Sequence, residues 1–139
     1  MYNAPVFIID DDQEELDIIQ EIWKDLDFEN PLEVFTQPED LFKRLADKVN
    51  PFLILSDVKL PKMDGFALRE KLGKDTELAY KSIPFVFWST AASNDQIKKS
   101  YDSGGHGFFI KGDNYIQIKE SIALIMSYWK TSKVPTITI

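Results

Sequence analysis

The chain has no cysteine and a single histidine, His106. The first absence excludes a disulfide framework and thiol chemistry. The second denies a zinc site its usual company of ligands, because His106 stands alone in the glycine-rich turn Ser103-Gly104-Gly105-His106-Gly107. That turn is also not the exposed helix face on which a phosphorylatable histidine is expected, so His106 reads as inert. Positive charge is in deficit: 16 Lys and Arg stand against 23 Asp and Glu, a net charge of -7. Binding to a phosphate backbone needs clustered cations, so nucleic acid is not expected as a direct partner. No apolar run approaches the roughly 20 residues of a membrane span, and Met1-Tyr2-Asn3-Ala4-Pro5 lacks the basic start and apolar stretch of a secretory signal. Repeats, low-complexity stretches and interdomain linkers are absent too. The expectation is a cytoplasmic protein of one domain, since 139 residues can bury roughly 68% of the unfolded surface around a single core.

What the sequence does contain is a regular alternation. Five short apolar runs recur, Val6 to Ile9, Leu32 to Phe35, Phe52 to Leu55, Phe85 to Trp88 and Phe108 to Ile110, each of strand length. Between them lie segments with helical spacing: Leu16, Ile19, Trp23 and Leu26; Leu41, Phe42 and Leu45; Phe66, Leu68 and Leu72; and Ile118, Ile122, Ile125 and Trp129. A fourth helix, between the last two strands, has only Ile97 and Tyr101 as an inward stripe and should be held weakly. Near-continuous apolar strands alternating with helices imply right-handed crossovers and a parallel sheet covered on both faces. The predicted fold is therefore α/β, a doubly wound sheet of five parallel strands with five helices. Asp12 with Glu15 and Asn114 with Gln117 have capping-box spacing, Pro38 sits near the start of the second helix, and Gly65 lies at the entry to the third.

The strand ends carry the chemistry. The first run closes on Asp10-Asp11-Asp12, the third on Ser56-Asp57, the fourth on Ser89-Thr90 and the fifth on Lys111. In an open parallel sheet the carboxyl ends of the strands border the ligand crevice, so these groups can converge. Gathered carboxylates repel one another unless a cation neutralises them, and magnesium suits an all-oxygen set such as Asp10, Asp11 and Asp57. A neutralised Asp57 could attack phosphorus and form an acyl phosphate, with Lys111 pairing the phosphoryl oxygens. Ser89, or Thr90 beside it, would offer a hydroxyl that such a group can draw inward. Each has a plainer reading: Asp12 as a helix cap, Ser89 as a turn cap, Lys111 as a solvated surface lysine, Phe108 as ordinary core.

These residues, with Ile9-Asp10-Asp11, Ser56-Asp57-Val58-Lys59-Leu60-Pro61-Lys62-Met63-Asp64-Gly65, Trp88-Ser89-Thr90-Ala91 and Gly107-Phe108-Phe109-Ile110-Lys111 in order, resemble the receiver domain of two-component response regulators over about residues 5 to 129. The resemblance implies the sheet order 2-1-3-4-5. It makes Asp57 the phosphoacceptor and Asp11 a direct Mg2+ ligand, with Asp10 acting mainly through water and the Lys59 backbone carbonyl completing the protein ligands. It makes Ser89 the switch hydroxyl, Phe108 the aromatic that follows it and Lys111 the phosphoryl-pairing lysine. Lys59 and Ala91 would flank the site and tune phosphoryl lifetime. The implied partners are a sensor histidine kinase or phosphotransfer protein upstream and a protein target downstream. The implied activity is self-phosphorylation with autodephosphorylation rather than conventional enzyme turnover.

In one respect the chain departs from the family: Gly112 follows Lys111 where family members usually have proline in a cis bond. A cis bond before a residue other than proline costs roughly 2.5 to 4 kcal/mol, so a trans peptide is expected here. The missing proline and the Tyr128-Trp129 pair are similar to small stand-alone, phytochrome-associated regulators, which keeps a homodimer open. Residues 1 to 130 are assigned to the receiver and 131 to 139 to a tail, in which Thr136 to Ile139 alternate like a strand. Two other functions stay open. One is a degenerate receiver that binds partners without phosphorylation. The other is a haloacid-dehalogenase-like phosphatase using Asp10 as nucleophile, which leaves Asp57 unexplained.

Overall fold

The computed structural model describes residues 3–74 and 83–134. Strands and helices alternate as the apolar pattern requires: β1 (Val6–Ile9), α1 (Gln13–Leu26), β2 (Leu32–Phe35), α2 (Pro38–Ala46), β3 (Leu53–Ser56), α3 (Gly65–Gly73), β4 (Phe85–Ser89), α4 (Asn94–Asp102), β5 (Gly107–Ile110) and α5 (Tyr115–Thr131). All strand pairs are parallel, and the sheet order is β2-β1-β3-β4-β5. Fold class and strand order thus match expectation, with five helices among the described residues. The alternating stretch Thr136 to Ile139 lies outside them.

Two-residue periodicity along the strands divides the core into two layers. Val6, Ile8, Leu53, Leu55, Val86 and Trp88 face Leu16, Ile19, Ile22 and Trp23 of α1 and Ile118, Ile122, Ile125, Met126 and Trp129 of α5. Phe7, Ile9, Ile54, Phe85 and Phe87 face Leu41 and Leu45 of α2 and Leu68 and Leu72 of α3. Burying each such side chain contributes roughly 1.5–3 kcal/mol, so the central strands β1, β3 and β4 anchor the domain. The edge strand β5 is less covered: Ile110, its last residue, is 52% exposed.

Helix α4 differs from expectation. Ile97 and Tyr101 are exposed, and Ser100 is its only buried residue. The helix is held instead at its start, where Ser93 Oγ accepts from Gln96 N and the Gln96 side chain accepts from Ser93 N. The two expected capping boxes are half-formed. Asp12 accepts from the amides of Glu14 and Glu15, but the Glu15 side chain turns elsewhere. Asn114 accepts from Gln117 N, while the Gln117 side chain takes the amide of Asp113. Helix α5 is apolar on two sides, for Ile116, Leu124 and Tyr128 lie exposed, away from its buried stripe.

Candidate functional site

Parallel register is what gathers the strand-end residues. Ile9 pairs with Ser56, Ser56 with Phe87, and Ser89 with Ile110, so the next residue on each strand arrives at the same sheet edge. Three further hydrogen bonds fix those residues: Asp10 N donates to Phe35 O, Asp57 N to Ile9 O, and Lys111 N to Ser89 O. One oxygen from each of Asp10, Asp11 and Asp57 lies within 4.8 Å of the others. Lys111, 101 residues from Asp10 in sequence, reaches the same place with its Nζ 2.5 Å from Asp10 Oδ2 and 3.5 Å from Asp57 Oδ2.

Burial determines how these charges behave. Asp10 and Lys111 are each 1% exposed, whereas Asp11 is exposed. Both oxygens of Asp10 are engaged, since Oδ1 accepts from Asp12 N at 2.9 Å and Oδ2 faces the ammonium. Asp57 Oδ1 accepts from Val58 N at 2.7 Å. Burial pushes the Asp57 carboxyl above the usual aspartate range and Asp10 pushes it further, against the opposing pull of Lys111 and the Val58 amide. For Lys111, burial alone would lower the pKa. The charges of Asp10 and Asp57, with help from Glu15, outweigh it and raise the ammonium above its ordinary value. Three carboxylates on one ammonium, with Asp11 beside two of them, leave the site short of positive charge, and its donor set is the hard oxygen type that a magnesium-sized ion accepts.

The loop that follows Asp57 is held closely beneath it. Gly65 N donates to Val58 O, and a Cβ at Gly65 would lie 2.4 Å from Asp57 O and 3.0 Å from the Phe87 ring. Only glycine fits there. On the other side of the site the described residues contain no cis peptide bond, so Lys111 and Gly112 join in trans as expected. Gly112 has φ +92°, a value outside the reach of proline, and its missing Cβ leaves room for Gln117.

Ser89 is nearly buried at the end of β4, with its Oγ donating to Ala91 O at 3.0 Å inside its own loop. Phe108 is half-buried and stacks on Phe87 with ring centroids 6.3 Å apart. Lys59 is exposed in the loop beyond Asp57. His106 stands apart at the start of the strands, where its Nδ1 accepts from Phe85 N at 3.0 Å.

Sequence reasoning missed Glu15. Read as half of a capping box, it instead places its carboxylate 3.0 Å from Lys111 Nζ. Its place in the first turn of α1, directly after the strand-end acids, was the available signal. Trp88 was also missed as a site residue. Its ring lies under the ammonium, 5.3 Å from Nζ to centroid, and its Nε1 donates to Ser121 Oγ, which in turn donates to Ile110 O. That chain of bonds joins the floor of the site to α5 and to the end of β5.

Residues 6–123 match the model of the response regulator receiver domain, and the chain belongs to that family. It is 24% identical over 138 residues to response regulator Rcp1 of Synechocystis, covering 91% of this chain and 90% of that protein. It is 38% identical over 77 residues to chemotaxis protein CheV3 of Helicobacter pylori, which covers 54% of this chain but 24% of that longer protein. Among solved structures, the phosphorylated cyanobacterial phytochrome response regulator RcpA superposes with a TM-score of 0.85 at 25% identity, over 96% of this chain and 99% of that one. The Mn(2+)-bound form of Rcp1 superposes with a TM-score of 0.80 at 23% identity, over 96% and 99% respectively. Family membership displaces the phosphatase alternative, and Asp10, with both oxygens occupied, is poorly placed as its nucleophile. No helix among the described residues is long and apolar enough to cross a membrane.

Proposed function

We propose that this chain is a phosphoacceptor module of two-component signalling, with Asp57 as the residue modified. The observation that carries the reading is the meeting of three carboxylates within 4.8 Å with a buried lysine facing Asp57, the one that follows β3. The acid pair, the acceptor and the lysine are all present, which favours a working phosphoacceptor over a degenerate binding module.

In the reaction, an Asp57 oxygen forms a new P–O bond while the P–N bond of a donor phosphohistidine breaks. The protonated phosphoimidazole leaves as neutral imidazole and keeps the bonding pair. Magnesium held by Asp11, Asp57 and the Lys59 carbonyl, with Asp10 acting through water, would neutralise charge on the transferring group. Lys111 contributes a fixed cation beside Asp57. Its ammonium needs no proton transfer to act, because its neighbours hold it charged. The Val58 amide orients the attacking carboxylate through Oδ1.

The new phosphoryl group brings about -1.5 to -2 charge and strong acceptor oxygens. Ser89 Oγ, turning from Ala91 O toward them, would free that carbonyl and shift the loop leading into α4. Phe108, half-buried against Phe87, would follow into the space released. A partner reads such a change only through its different affinity for the two states. The reading surface we assign is α4, β5 and α5, where Ile97, Tyr101, Ile110, Ile116, Leu124 and Tyr128 are exposed. A second copy of this chain is a fitting partner, for a helix apolar on both sides is stable when both are covered.

The test is incubation with acetyl phosphate and Mg2+, read by intact mass at short times, against Asp57→Asn. Wild type should gain one phosphoryl group and the variant none. An undiminished adduct on the variant, or none on wild type, would remove the reading.

A further inference from the structure

Lys111 has one more carboxylate partner than phosphoacceptor chemistry uses. Asp10 holds its Nζ at 2.5 Å, Glu15 at 3.0 Å and Asp57 at 3.5 Å, so Glu15 is nearer the ammonium than the phosphoacceptor is. An ammonium has three N–H donors. The shortest of these contacts is the hydrogen bond to Asp10, and the ion pair with Glu15 is closer than that with Asp57.

The backbone at Lys111 is held, by the bond from its N to Ser89 O and by Gly112 packed against Gln117. The position of the ammonium at the end of the flexible stem is set by its ion partners and by the Trp88 ring. For a phosphoryl group on Asp57 to draw the ammonium from 3.5 Å into a short charge-assisted hydrogen bond, the ammonium must move away from one of the two carboxylates that hold it more closely. Asp10 cannot release it cheaply, because its side chain is 2% exposed and would be stranded. Glu15 can. Its side chain is 17% exposed and sits in the first turn of α1.

We infer that Glu15 is a positioning residue that holds Lys111 in the resting state and competes with the phosphoryl group for it. The inference rests on the phosphoacceptor reading and adds a brake to it: Glu15 lowers the affinity of the site for the phosphoryl group and is released toward solvent when that group arrives. Lys111 would then be set by a side-chain tether on α1, and the N-terminal turn of α1 would differ between the two states.

The test uses beryllium fluoride as a phosphoryl mimic at saturating Mg2+, read by tryptophan fluorescence from Trp88 beneath the ammonium. Glu15→Gln should bind the mimic about tenfold more tightly than wild type, the scale of one competing charge-assisted hydrogen bond. Glu14→Gln removes the same charge from the same turn at an exposed side chain and should stay within about twofold of wild type, as surface charges do. Affinity for Mg2+ alone should also stay within about twofold in Glu15→Gln, because Glu15 is not a ligand in this account. Equal or weaker binding of the mimic by Glu15→Gln would overturn the inference. So would an equal gain in Glu14→Gln, which would make the effect one of overall charge, or a collapse of Mg2+ affinity in Glu15→Gln, which would make Glu15 a ligand. Failure of every protein, wild type included, to bind the mimic would instead remove the phosphoacceptor reading and this inference with it.

Discussion

Replacing Lys111 by methionine tests the electrostatics of the site directly. Methionine keeps an unbranched stem against Trp88 and removes only the charged head. The ammonium is the sole cation within salt-bridge reach of Asp10, Glu15 and Asp57 among the described residues. Asp10, 1% exposed, would keep only the Asp12 amide. Breaking a buried pair by removing one partner costs about 3–5 kcal/mol. Against a total of about 5–15 kcal/mol for an ordinary domain, that is roughly a fifth of the stability or more. Urea unfolding at pH 7 without divalent metal should show this loss as a lower midpoint at unchanged slope, since the surface exposed on unfolding is the same. Adding Mg2+ should then narrow the gap. A ligand at a hundred times its Kd contributes about 2.7 kcal/mol, and it binds more tightly where no ammonium opposes it. A loss below about 1 kcal/mol would mean that the lysine is balanced by solvent rather than by these carboxylates. A gap indifferent to Mg2+ would mean that the carboxylates do not form a cation site.

Gly112→Ala should cost about 1–3 kcal/mol, because a side chain at φ +92° is strained and its Cβ would lie 2.5 Å from Gln117 Cβ; thermal unfolding measures it, and a neutral result would refute the tight-loop account. Burial first, then the charge of Arg69, hold His106 below its ordinary value of 6.5, so its NMR titration midpoint should fall below 6.5. With a lowered folded pKa, the unfolded chain takes up the proton first, and the stability this group contributes is present above pH 6.5 and lost as pH falls below it. His106→Gln should remove that acid-side loss. The slope from Asp57 and Glu15, whose folded values are raised, has the opposite sign and sets in at their carboxylate values, so the comparison with wild type isolates the histidine. Ile116→Glu with Leu124→Glu should leave the unfolding midpoint of the monomer within about 0.5 kcal/mol, since both side chains are exposed, while abolishing any dimer seen by sedimentation. A dimer that survives both changes would place the contact elsewhere.

The errors in reading this sequence share a cause. Ile97 and Tyr101 have inward helical spacing, yet the helix they belong to presents them to solvent. Periodicity tells which residues share a face, and packing decides which way that face turns. Glu15 has capping-box spacing, but Lys111 is a stronger partner than a backbone amide, and the two meet only after β1 and β5 have been set at one sheet edge. Ser93 with Gln96, which do form the box, open a helix with little apolar content.

By itself the sequence determined the strands, the helices and the parallel sheet, because these follow from local apolar spacing and from the short range of backbone hydrogen bonds. It also marked Asp10, Asp11, Asp57, Ser89 and Lys111, since each closes an apolar strand or lies within two residues of its end. The tertiary structure alone decided how these groups balance. Partners as far apart as residues 10 and 111 meet through register, and whether a carboxylate is buried with an ammonium or left in water is a property of packing. The third carboxylate on Lys111, the trans peptide before Gly112 and the exposed second face of α5 belong to that level, where long-range contact and desolvation outweigh local propensity.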